Sequence, residues 1–257
     1  MIDLIALLGL LAFSAASLLV GARLLGLARR TRGLPERLLG LSLMLAGGIG
    51  TMVGIAPAFL PGLDPRVAYA TYQLSSILCH VGYALLPYFV LRVFRPRTTW
   101  AMGLFLLSLA FLAIGAVGLA VTLPLGQSIH HPGDEGRVWQ LASLMGRFIG
   151  NAWAGIESLG YYVLLRRRLA LGFVDRETTN RFFYWGVCTI AGSVVWLNMA
   201  TEMLIPAVAA NVAAARMVSA LLGIVSACSL SVAFFPGARR SEETLGAEAP
   251  KGTSHRG

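Results

Sequence analysis

The sequence predicts an all-α protein, a polytopic membrane protein whose seven transmembrane helices form one bundle, N-terminus outside and C-terminus cytoplasmic. Three observations predict it. Seven long apolar segments fill the chain almost from end to end. Hydrophobic residues make up 56% of the 257 and charged residues only 13%, against about 25% charge in a soluble domain. Arginine clusters also sit at every second gap between the apolar segments.

A helix needs about 20 mostly apolar residues to cross the hydrocarbon of a bilayer. The expected crossings are 3–27, 38–60, 66–92, 99–124, 138–165, 181–206 and 211–236. Together they make one domain, 1–236. The tail 237–257 is rich in Gly, Ser, Glu and Pro and reads as disordered.

Segment one lacks the positive n-region of a signal peptide. Asp3 is the only charged side chain before its apolar run, and the first arginines follow it. An uncleaved first helix is expected, with Ser14 and Ser17 as its mid-helix polar groups. Segment two carries Gly47, Gly48, Gly50 and Gly54, a face for close packing. Segment three places Tyr69, Gln73, Ser76, His80, Tyr83 and Pro87 at spacings of 4, 3, 4, 3 and 4, one helical stripe with His80 near the middle. Segment four has Ser108 as its one polar side chain between Met102 and Val121, and is expected at the periphery.

Segment five aligns Arg147, Asn151 and Ser158 on one face, with the small pair Gly146 and Gly150 beside them. Segment six aligns Tyr184, Cys188, Ala191, Val195, Asn198 and Glu202; segment seven aligns Arg216, Ser219, Gly223 and Ser226. An arginine at the centre of a crossing costs about 2.5–3.5 kcal/mol on insertion scales, so a partner is expected. Glu202 is the first candidate partner for Arg147 or Arg216, and Glu157 the alternative for Arg147. The expected inner wall is segments three, five, six and seven.

Orientation follows from the basic residues. Arg23, Arg29, Arg30, Arg32 and Arg37 flank gap one; Arg92, Arg95 and Arg97 flank gap three. Arg166, Arg167, Arg168, Arg176 and Arg181 flank gap five, and Arg239, Arg240, Lys251 and Arg256 lie in the tail. These are all but four of the 21 Lys and Arg. By the positive-inside rule that side is cytoplasmic, and an odd number of crossings puts the N-terminus opposite. The net charge of +9 is then a topological signal, strengthened by anionic lipid. It calls for no nucleic-acid partner.

Several chemistries are excluded on residue grounds. A retinal Schiff base needs a helix lysine, and the one lysine is Lys251 in the tail. A zinc or bis-histidine haem site needs converging ligands; only His80 lies in a segment, while His130 and His131 share a loop and His255 is in the tail. Cys79, Cys188 and Cys228 lack CxxC spacing and are expected as small buried residues. Hydrolase and phosphate-loop motifs are absent. No cofactor, no metal and no enzymatic activity are expected.

The topology, the polar interior and the first inner loop Arg29-Arg30-Thr31-Arg32-Gly33 resemble the seven-helix sensor regions of bacterial histidine kinases. The topology is also shared with rhodopsin-like receptors. The resemblance implies a receptor-like or sensor-like module that binds a small-molecule or lipidic ligand in an outward-opening polar pocket. Gln73, Ser76, His80, Tyr83, Arg147, Asn151, Asn198, Glu202 and Arg216 are its candidate ligand-binding residues. The tail is too short to hold an effector domain, so a separate cytoplasmic signalling protein would carry the output. Membrane lipid is the other expected partner.

A small-solute transporter of 3+1+3 organisation is the alternative. Arg37 precedes Ala46-Gly47-Gly48 much as Arg181 precedes Ala191-Gly192-Ser193, but the Pro-Gln dipeptide of such carriers is missing. Low Lys with high Arg, Ala and Gly suggests a bacterial inner membrane.

Overall fold

The computed structural model describes residues 2–60, 62–122, 134–205, 208 and 211–235. Seven helices account for nearly all of them: α1 Ile2–Thr31, α2 Leu34–Phe59, α3 Pro65–Val93, α4 Thr99–Thr122, α5 Asp134–Ala170, α6 Arg176–Leu204 and α7 Val212–Phe234. No strand occurs among the described residues. The tail 237–257 and the His130–His131 doublet lie outside them.

Six of the helices are long and apolar enough to cross a membrane: all but α5. That helix is the longest at 37 residues, but Arg137, Gln140, Arg147, Asn151 and Glu157 interrupt its apolar run. Six such helices suggest an integral membrane protein. The distribution of side chains fits that reading. Leu74, Ile77 and Val81 of α3 are exposed while Ser76 and His80 on its other face are buried. Water-soluble proteins do the reverse.

Helices adjacent in sequence pack antiparallel. Ser42 Oγ of α2 donates to the Gly82 carbonyl of α3 at 2.8 Å, and Ser108 Oγ of α4 to the Gly146 carbonyl of α5 at 2.9 Å. Alternate helices therefore run parallel, and α3 and α5 show it: His80 meets Ser143, Pro87 meets Gly150 and Arg95 meets Glu157. The ring closes by the parallel packing of α1 on α7. Gly9 makes this possible, because a Cβ there would stand 2.7 Å from the Ala220 carbonyl oxygen. At the far end of the same pair Arg23 lies over the Phe235 ring.

The loops after α1, α3 and α5 share one end of the bundle, where Arg29, Arg30, Arg32, Arg92, Arg95, Arg97, Arg166, Arg167, Arg168, Arg176 and Arg181 are all exposed. We call this the arginine-rich end and the opposite one the N-terminal end. The first loop is tight enough to put Arg32 at φ 56°, and the second puts Arg97 at φ 69°, a region that non-glycine residues seldom adopt. α6 starts cleanly, because Asp175 accepts the Thr178 backbone N–H at 2.7 Å.

The glycine-rich stretch of α2 departs from the regular helix expected. Leu43–Gly50 is π-helical, which loosens the backbone and turns carbonyls outward. Polar side chains meet them: Thr51 Oγ1 donates to Ala46 O and Ser75 Oγ of α3 to Gly50 O, both at 2.8 Å. Cys79 Sγ of α3 adds a weaker contact to Ala46 O at 3.6 Å. Its apolar stretch is 56% buried, the highest share of the six, so α2 belongs to the inner wall and corrects the expected set. α4 is the least buried at 22% and peripheral as expected.

Candidate functional site

The stripe expected on α3 does face inward. Ser76, His80 and Pro87 are buried, and Tyr69, Gln73 and Tyr83 half-buried. His80 Nδ1 lies 2.6 Å from the Ser76 carbonyl, an acceptor only, so Nδ1 carries the hydrogen. Nε2 lies 2.8 Å from Ser143 Oγ of α5, which can donate to it. The imidazole is thereby satisfied on both sides and ties α3 to α5.

Arg147 stands one turn further along α5 and is only 7% exposed. Its guanidinium lies over two rings, Tyr83 of α3 at 5.2 Å and Trp196 of α6 at 5.1 Å. Those rings meet each other edge to face at 5.3 Å. Desolvated cation–π contacts are worth about 2 kcal/mol each, so the pair is of the same size as the cost of placing an arginine at membrane depth. The rings offer no hydrogen-bond acceptor in the guanidinium plane. Arg147 Nε is buried without a hydrogen-bond partner, and so is Trp196 Nε1.

The expected carboxylate at Arg147 is not found among the described residues. Glu157 is engaged elsewhere: its Oε1 pairs with Arg95 Nε at 2.8 Å and accepts from Trp153 Nε1 at 3.3 Å. The physical reason is one of depth. Ten residues separate Arg147 from Glu157, about 15 Å along a helix, which places the acid with the surface arginines. Asn151 is buried and turned back along its own helix, donating to the Arg147 carbonyl at 2.9 Å.

Asn198 and Glu202 form a second locus, between α6 and α7. Asn198 Nδ2 donates to Ala215 O and Ser219 Oγ, both at 2.9 Å, with Glu202 Oε1 at 3.3 Å. Arg216 is exposed on α7 rather than part of the buried layer, and it has interactions of its own, as does Glu202. Asn198 and Trp196 are two residues apart, about 200° round the helix. The expected α6 stripe therefore serves α7, while the opposite stripe, Thr189, Gly192 and Trp196, faces α5 and α3.

Three inward residues go unmentioned in the sequence reading: Gln140, Ser143 and Trp196. The first two are buried at 3% and 0% exposure. Their spacing was informative, since Gln140, Ser143, Arg147 and Asn151 continue a single stripe of α5 at 3, 4 and 4. Trp196 gave the weaker signal of an aromatic one turn beyond Gly192. Cys79 and Cys188 are buried as expected, whereas Cys228 is exposed on α7.

A surface depression of about 540 Å³ lies at the arginine-rich end, lined by Leu91, Arg92, Pro96, Arg97, Thr98, Thr99 and Met102. It is remote from the Tyr83–Arg147–Trp196 cluster. No group of three or more His, Cys, Asp or Glu able to hold a metal occurs among the described residues. Comparison with protein-family models, with curated proteins and with solved structures found no match to this chain.

Proposed function

We propose that the chain is a receptor-like or sensor-like integral membrane module with its N-terminus outside. It takes a small or lipidic ligand into the polar layer between α3, α5 and α6, and passes the signal to a separate cytoplasmic protein. The observation that carries this reading is Arg147, a buried cation whose Nε has no acceptor, in a bundle whose helices expose large apolar side chains along their outer faces. Buried polar groups are ordinarily hydrogen-bonded. One left open at membrane depth is a place for a ligand.

The orientation rests on the arginines. At their end Arg23, Arg92, Arg95 and Arg166 stack on Phe235, Tyr88, Trp100 and Tyr162. Aromatic rings line both membrane interfaces, and an excess of basic residues is what marks the cytoplasmic one. A bacterial inner membrane suits the composition.

Accessibility of the polar layer tests the function directly. Single cysteines at Gln73, Ser76 and Asn151, in a chain with its native cysteines replaced, would be labelled with a membrane-impermeant thiol reagent. Reporter fusions in loops 124–136 and 166–181 define the two sides. A receptor predicts labelling from the side of loop 124–136 alone. Labelling from both sides would favour the transporter instead, and no labelling from either side would leave only a packing contact. Both loops on the same side would remove the seven-crossing topology.

A further inference from the structure

We infer that the group recognised by this layer is an oxyanion, a carboxylate or phosphate carried on an apolar body. The inference rests on the proposed ligand site and specifies its chemistry. The unpartnered nitrogens of the cluster, Arg147 Nε and Trp196 Nε1, are N–H donors in every orientation. Neither a water-filled acceptor nor a neutral hydroxyl answers both the hydrogen-bonding demand and the charge. An oxyanion answers both.

Geometry favours an oxyanion over a simple halide. The Nε edge of a guanidinium presents parallel N–H groups that match two oxygens of one carboxylate or phosphate, and the Nε of Arg147 is buried and unpaired. Tyr83 and Trp196 lie against the guanidinium at 5.2 and 5.1 Å, and neither ring supplies an acceptor for its Nε. His80 and Asn151 already spend their nearest donors on Ser76 O and Arg147 O, so the binding charge is Arg147 alone. The apolar body follows from the surroundings. The helices around the cluster expose Leu74, Ile77, Val81, Val194 and Leu197 on their outward faces, so a molecule arriving along them travels through an apolar medium. An acid with a lipid tail and an amphipathic soluble acid share this chemistry.

The test uses the full-length chain in phosphatidylcholine nanodiscs, titrated with oleate, oleyl alcohol, benzoate and inorganic phosphate. Melting temperature and tryptophan fluorescence are both read, because Trp196 Nε1 is one of the two unpartnered donors that the oxyanion would meet. Oleate is expected to raise the melting temperature saturably and change the fluorescence, and oleyl alcohol to do neither. Arg147→Gln should weaken oleate by about tenfold or more, the scale of a charge-assisted hydrogen bond. Trp196→Phe, which keeps the ring and loses the N–H, should weaken it a few-fold and remove the fluorescence change. If Arg147→Gln does not fold, Arg147→Lys and Trp196→Phe carry the test. A matching effect of benzoate or phosphate points to a soluble acid; one from phosphatidylglycerol in the disc points to a lipid headgroup. Oleyl alcohol binding as tightly as oleate, with Arg147→Gln unchanged, would overturn the oxyanion and leave the ligand site standing. No saturable binding of any probe to the native chain would overturn both.

Discussion

Along α3 the inward face is Ser75, Ser76, Cys79 and His80 on the N-terminal side of Tyr83, and Leu86, Phe89, Val90 and Leu91 beyond it. The rest of the bundle divides at the same level. Ser143 of α5 meets the first stretch at His80, and Arg147 of α5 and Trp196 of α6 meet Tyr83 itself. Trp153, Ala154, Trp185 and Leu230 pack with the second in one apolar cluster, and Phe94, Tyr161 and Phe182 stack beside it. One half of the molecule is held by dispersion and ring contacts, the other by hydrogen bonds and a buried charge.

Two arginines sharpen the contrast. Arg95 lies 5.6 Å from the Trp100 ring, and Arg147 lies 5.1 Å from that of Trp196. Arg95 also has Glu157, whose hydrogen bond and charge hold its guanidinium above the ordinary value, and its side chain is 47% exposed. Arg147 has neither an acid nor water to the same extent. The aromatic contact is common to both; what differs is whether the hydrogen-bonding edge is filled. The arginine-rich half is therefore expected to carry the stability, and the N-terminal half to carry the binding.

The largest effect should come from the apolar half. Phe89→Ala removes a ring buried to 7% exposure and should cost about 3–5 kcal/mol, read by thermal unfolding in detergent. A smaller loss than that of His80→Ala would break the assignment of stability to this half.

Next is the helix approach beneath the polar layer. A Cβ on Gly115 of α4 would stand 2.6 Å from the Ser143 backbone nitrogen, whereas Gly103 on the same helix meets nothing within 4 Å. Gly115→Ala should therefore cost about 1–3 kcal/mol and displace Ser143 from His80. Gly103→Ala should be neutral or slightly stabilising. Equal folded yields for the two variants would mean that α4 can shift without penalty.

The His80–Ser143 hydrogen bond itself should be worth less. Interhelical bonds of this kind average about 0.6 kcal/mol and reach about 1.7. A double-mutant cycle with His80→Ala and Ser143→Ala should show coupling within that range. Additive losses would reduce the contact to coincidence of packing.

All seven helices and the inward face of α3 were legible because hydrophobic period and burial are nearly the same information in this chain. Tyr69, Gln73, Ser76 and His80 could share one face only if the helix continued through them. What stayed hidden depended on neighbours. The ten-residue spacing from Arg147 already put Glu157 about 15 Å away along the helix. But nothing in the sequence says that Arg95 claims that acid or that two aromatic rings stand where an acid was expected. The π-helical stretch of α2 was equally silent, since Gly47, Gly48 and Gly50 are as natural in a closely packed regular helix. Its signal lay on another element, in the Ser75 hydroxyl and Cys79 thiol that meet its freed carbonyls.

The smallest expected effect separates the two ends by their response to acid. At the arginine-rich end Asp175 caps α6 in the open, and the Thr178 backbone N–H, then its hydroxyl, hold the carboxyl below the usual carboxylate range. A depressed value in the fold means that the cap contributes fully above the unfolded value near 3.9. The contribution is lost as pH falls through the lower folded value. Asp175→Asn keeps the accepting oxygen and removes the titration, so it should match the native chain at neutral pH. It should also melt with a weaker dependence on pH below about 4. Asp175→Ala loses acceptor and charge together and should melt a few degrees lower at neutral pH. Thermal melts of the three chains between neutral and acid pH decide it. If Asp175→Asn retains the full acid sensitivity of the native chain, the titrating group is not this cap.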